Sequence, residues 1–76
     1  MTEKELKLLK KIPKRYRKHI ISLTISKSGE YNKRGQEIHN YRLIYDNEDE
    51  HIFENQEYMI WLLKEYTNDD GYFVAP

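Results

Sequence analysis

The sequence predicts a small α+β domain spanning residues 1–76, in α-β-β-β-α order, with a three-stranded antiparallel sheet packed against helices. Three observations carry this. The most apolar run, Asn55 to Thr67, places Tyr58, Met59, Leu62, Leu63 and Tyr66 on one arc at 100° per residue, which predicts a helix with one buried face. Ile20 to Lys27 and Tyr41 to Tyr45 alternate apolar and polar residues, the signature of half-buried strands. Thr2-Glu3-Lys4-Glu5 has the spacing of a capping box, in which Thr2 and Glu5 satisfy each other's free N–H groups at a helix start.

The first helix carries Leu6, Leu9 and Ile12 as its apolar side and ends near Lys11, because Pro13 does not fit inside a helix. Lys14 to His19 forms either a second short helix opened by Pro13 or an extended lead into the first strand. In that strand Ile21, Leu23 and Ile25 point one way. Ser28 to His39 is polar, holds Gly29 and Gly35, and reads as a long, mobile hairpin connection. Tyr41, Leu43 and Tyr45 share a face of the second strand, Asp46 to Asp49 turn the chain, and His51 to Phe53 make a third strand. Pairing Tyr45 with His51 sets Leu43 against Phe53, Ile44 against Ile52 and Arg42 against Glu54, which matches like with like and opposite charges. Asn55 caps the last helix, Asn-Asp-Asp-Gly stops it, and the apolar end Gly71 to Pro76 packs back or adds an edge strand.

Size and composition bound the function. A chain of 76 residues sits near the lower limit for a self-sufficient core. It has no cysteine, which excludes disulfides and thiolate metal sites and suits a reducing, cytoplasmic setting. No apolar run approaches the ~20 residues that span a bilayer, and the charged start lacks a signal-peptide segment. Abundant Lys, Glu, Ile, Asn and Tyr point to AT-rich coding, as in a low-GC bacterium or its phage. No cysteine nucleophile, glycine-rich phosphate loop or G-x-S-x-G motif is present, and the histidines at 19, 39 and 51 have no metal-ligand spacing. His39 and His51 are expected to approach at most as surface imidazoles across the hairpin. The acidic run from Asp46 to Glu50 lacks the glycine and spacing of a calcium loop. No catalytic residue, cofactor or metal is predicted.

The net charge of zero conceals a split: residues 1–42 hold twelve Lys/Arg and four Asp/Glu (+8), residues 43–76 one and nine (−8). Either the halves neutralise each other on folding, or two opposed faces each meet a partner. Lys10, Lys11, Lys14, Arg15, Arg17 and Lys18, clustered around Tyr16, with Lys33 and Arg34, form the candidate nucleic-acid surface. Arg15 and Arg17 suit two-pronged phosphate contacts, and Tyr16 suits base stacking. Trp61 falls outside the apolar arc, between Glu57 and Glu65. If the end segment or first helix covers it, it belongs to the core, and that is the weightier expectation. If it stays exposed beside Glu57, Glu65, Asp69 and Asp70, it marks a protein-binding patch with an acidic rim. Asp46, Glu48, Asp49 and Glu50 would extend that acidity into a mimic of nucleic-acid charge.

The element order resembles that of the double-stranded-RNA-binding domain. The resemblance covers order alone. Where that family carries a lysine cluster at the start of its second helix, this chain reads Asn55-Gln56-Glu57-Tyr58, so no grip on duplex RNA is implied there. The leading expectation is a non-catalytic interaction protein, phage- or mobile-element-encoded, that binds and modulates a host protein such as a nucleic-acid-processing enzyme. The alternatives are a nucleic-acid-binding module using residues 10–18, and a subunit that homo-oligomerises through a strand edge.

Overall fold

The computed structural model describes all 76 residues. The order is α1 (Glu3–Lys11), α2 (Lys14–Arg17), β1 (Ile20–Tyr31), β2 (Glu37–Tyr45), β3 (Glu50–Phe53) and α3 (Gln56–Tyr66), with the sheet in the order β1-β2-β3. This is the predicted α+β architecture, with α1 and α3 packed on one face of an antiparallel sheet.

α1 begins with the capping box. The Glu5 N–H donates to Thr2 Oγ1 at 3.2 Å, and the Thr2 N–H donates to Glu5 Oε1 at 2.7 Å. The inward face is Glu5, Leu8 and Ile12 with Leu9 beside them, and Leu6 is exposed, so the predicted apolar side is rotated. The reason is Glu5. Its second oxygen accepts the Ile25 N–H of β1 at 2.8 Å, which turns this residue toward the sheet and Leu6 away from it. The chain then takes the helical alternative, a single turn from Lys14 to Arg17.

β1 differs from expectation at both ends. Ile20 pairs with Tyr45 and Ser22 with Ile44, so Ile21 is an extra residue in a bulge. The bulge sends Ile20 into the core and leaves Ile21 exposed, against the simple alternation. The segment 28–39 is mostly strand. Lys27 pairs with His39 and Tyr31 with Glu37, around a bulge at Gly29, and the turn is confined to Asn32–Gln36. There Asn32 Oδ1 accepts the N–H groups of Arg34 and Gln36, and Gly35 supplies the positive φ of 76°.

The β2–β3 register is two residues from the predicted one: Tyr41 faces Phe53, Arg42 faces Ile52 and Leu43 faces His51. The predicted pairing needs a five-residue loop. Instead Glu48 adopts a left-handed conformation (φ 73°), the Tyr45 N–H donates to Asp49 O, and three residues close the turn. A shift of two preserves which face each side chain occupies, so Tyr41, Leu43 and Phe53 remain inward. Arg42 forms its ion pair with Glu50 at 2.9 Å instead of Glu54.

The core runs through the rungs Ile20–Tyr45, Leu23–Leu43–His51 and Ile25–Tyr41–Phe53, roofed by Leu8 and Ile12 of α1 and Met59, Leu62 and Leu63 of α3. The end segment packs back as predicted. Phe73 forms a single bridge with Thr67 and buries its ring against Phe53 and His51. No helix is long and apolar enough to cross a membrane.

Two predictions follow from the packing. Leu43→Ala empties the centre of the middle strand and is expected to cost about 2–5 kcal/mol, read by urea unfolding. For Glu5, the N–H groups of Thr2 and Ile25 hold the carboxyl below its ordinary value of 4.5. Its stabilisation is therefore fully present above pH 4.5 and is lost as the pH falls through the lower folded value. Glu5→Gln should lower the Tm at neutral pH and flatten the acid limb of the Tm–pH curve, and an unchanged limb would remove Glu5 as its cause.

Candidate functional site

The basic segment is built by the α1–α2 reversal at the start of β1. Two of its residues serve the fold. The Arg17 Nε–H donates to Ile12 O at 2.8 Å, closing the end of α1, and Tyr16 packs half-buried against the core with the Arg15 guanidinium 5.1 Å from its ring centre. Lys10, Lys11, Lys14, Arg15 and Lys18 remain exposed, and none joins an ion pair. Lys33 and Arg34 lie elsewhere, in the Asn32–Gln36 turn. The twelve residues of β1, roughly 35–40 Å of strand, separate them from α2, so the candidate cations do not form one patch.

The acidic residues gather mainly at two turns that meet. Asp46 joins them: His19 Nδ1 lies 2.8 Å from its Oδ2, and the Tyr72 hydroxyl donates to its Oδ1 at 2.6 Å. The His19 and Tyr72 rings stack with centres 4.3 Å apart. The Tyr72 hydrogen bond first, then that of His19, holds the Asp46 carboxyl below its usual range, and the same bond to Asp46 pushes the Tyr72 hydroxyl up. Asp46 is thus a clasp between the β2–β3 turn, the start of β1 and the end segment. Glu48, Asp49, Asp69 and Asp70 stay exposed around it, while Glu50 is held by Arg42. Gly71 completes the clasp: with φ at 94°, any Cβ there would collide with the Lys18 side chain and His19.

Across the two charged halves, Arg42–Glu50 is an ion pair, and His19 and Asp46 are joined by a hydrogen bond. Mutual neutralisation by direct pairing is therefore limited, and most of the α1–α2 cations face solvent.

His39 lies opposite Lys27 on β1, while His51 lies opposite Leu43 and under Phe73, so these two imidazoles do not pair. Beside them Tyr45 is buried with its hydroxyl unpartnered. Burial pushes that hydroxyl up to about 12.

On α3 the weightier expectation for Trp61 is corrected. The end segment turns toward His19, His51 and Phe53, so Trp61 is 51% exposed. Tyr58, expected inside the arc, is 56% exposed and stacks on Trp61, ring centres 5.8 Å apart and planes 14° off parallel. Glu57 and Glu65 flank the pair on the same helix. Tyr58 also lines a groove of about 560 Å³ bounded by β3, α3 and the end segment, with Phe53, Leu62 and Phe73 among its apolar lining. Sequence periodicity does not show this groove, because three separate elements build it. Its one sequence signal is the i, i+4 spacing of Tyr58 and Leu62 on α3.

Trp61 is the only tryptophan, so its fluorescence reads this surface directly. Efficient acrylamide quenching in the native state, close to that of the urea-unfolded chain, is the expected result. A strongly protected indole would mean that Trp61 is covered. Comparison with family models, curated proteins and solved structures finds no match, so the site is argued from its own chemistry.

Proposed function

We propose that this chain is a small, non-catalytic interaction protein that binds and modulates another protein through the outer face of α3. The stacked Tyr58–Trp61 pair carries the reading. Two large rings stand in solvent on a rigid helix, next to an apolar groove and between carboxylates. Exposed aromatic residues of this kind are the residues that dominate binding energy in protein interfaces. The exposed carboxylates of Glu48, Asp49, Asp69 and Asp70 supply the charge by which such a protein could occupy a site meant for nucleic acid. The richness in Lys, Glu, Ile, Asn and Tyr fits AT-rich coding, as in a phage or mobile element of a low-GC bacterium, and a host nucleic-acid enzyme is the target this reading proposes.

A second reading has its own observation: five exposed cations between Lys10 and Lys18 without ion-pair partners. It predicts nucleic-acid binding that weakens steeply with salt. Each phosphate contact removed would lower the log–log slope by about 0.9 on duplex DNA.

Affinity capture from a low-GC bacterial lysate, with and without nuclease, separates the two. On the protein-binding reading a protein partner survives nuclease, and Trp61→Ala weakens its binding by about 2 kcal/mol or more, roughly thirtyfold. Recovery of nucleic acid alone, abolished by Lys14, Arg15 and Lys18→Glu, would replace it with the second reading. Arg17 is left intact in that variant because it closes α1.

A further inference from the structure

The two edges of the sheet are treated differently. On β1, the outward N–H groups of Leu23 and Ile25 are taken by Met1 Sδ at 3.3 Å and by Glu5 at 2.8 Å. On β3 nothing takes them. The Tyr45 N–H donates to Asp49 O, so the alternation of an antiparallel pair turns the backbone of His51 and Phe53 toward β2. Glu50 and Ile52 then present their N–H and C=O groups outward, and no hydrogen bond from elsewhere in the fold reaches them. That edge borders the groove, whose apolar lining includes Phe53, Leu62 and Phe73. His51, also lining it, has its Nε2 buried and without a partner.

We propose that the open edge of β3 binds an extended, cationic peptide segment of a partner protein as a fourth strand, its alternate apolar side chains entering the groove. This deepens, and rests on, the protein-binding reading of the α3 face, of which Tyr58 is the shared residue. The backbone supplies general affinity and the groove supplies selection, as in other strand additions.

Charge selects the occupant. Glu54 and Glu57 follow the outward Ile52 with no ion-pair partner, Glu50 before it is paired with Arg42, and no Lys or Arg lines the groove. A second copy fits badly: two-fold pairing of β3 with itself centred on Ile52 sets Glu50 opposite the other copy's Glu54, and like charges directly opposite destabilise a ladder. A segment with lysines or arginines between apolar residues meets those carboxylates favourably.

The probe is a capped peptide of about eight residues alternating Val and Lys, a common strand length. Added to the full chain, it is expected to shift the Glu50 and Ile52 amide resonances and to slow their hydrogen exchange. Exchanging its Lys for Glu should weaken binding about tenfold or more. Methylating the backbone nitrogens of its Val residues, or in a second peptide those of its Lys residues, must abolish binding in one of the two, since only one set faces β3. Ile52→Pro removes the outward donor and spares the β2 ladder, so it should fold and lose the peptide. The methylated peptides keep the test independent of that variant's folding. No amide shift with peptide on the order of 1 mM, equal binding of the Val–Glu peptide, or equal binding of both methylated peptides would overturn the inference. If the edge fails while Trp61-dependent capture persists, the protein-binding reading stands without it. If the peptide binds and Trp61→Ala leaves capture unchanged, the edge stands and the α3 face falls.

Discussion

The Glu5 carboxylate is the contact on which the placement of the N-terminal half depends. One oxygen closes the capping box and the other takes a free N–H of an edge strand, 20 residues away in sequence. A single side chain therefore starts α1, docks it on β1 and takes one outward N–H of that edge of the sheet. Leu8 and Ile12 follow it onto Leu23 and Leu43 at helical spacing, and all four are buried. Because α1 is held there, its end and α2 fall at the start of β1. The cations from Lys10 to Lys18 are thus displayed together, and His19 reaches Asp46.

What was legible in the sequence is what local chemistry determines. The Thr2–Glu5 box and the Asn55 cap involve residues three apart, and both form as read. The period of 3.6 in α3 places Met59, Leu62 and Leu63 correctly in the core. The sheet was legible in its faces and not in its register. An alternating pattern is blind to shifts of two, so Leu43 stays inward whether it meets His51 or Phe53. A left-handed Glu48, without glycine to announce it, decides between them. Ile21 escaped the pattern because a bulge inserts one residue and reverses the phase. The hairpin from Lys27 to Glu37 looked like a loop for a further reason: it extends beyond the pairing range of β3, so it has no third strand beside it and no core to write an apolar pattern.

The candidate site divides the same way. Trp61 stood out because one residue off the apolar arc is a local observation, whereas its exposure depends on where the end segment goes. That path is set by Phe73 against His51 and Phe53, and by Tyr72 on His19 and Asp46. Charge density marked Arg17 and Asp46 as partners for other molecules, yet each is engaged within the fold, one on a helix end and one in a three-way clasp. Composition counts charges and cannot see which have found a backbone carbonyl or a phenol.

Covering part of the β1 edge and leaving β3 open also makes sense as a single arrangement. An open strand edge normally invites self-association, and proteins limit it with short strands and charges. β3 has four residues and carboxylates at Glu50 and Glu54 around its outward Ile52. Glu50 is paired with Arg42, which leaves Glu54 as the unpaired charge beside that edge. On the longer edge of β1, Met1 and Glu5 occupy the outward N–H groups of Leu23 and Ile25, in the part of the strand that carries the core. The segregation of charge along the chain fits this division: the acidic half of the sequence carries β3 and α3, and the basic half carries the helix that seals β1.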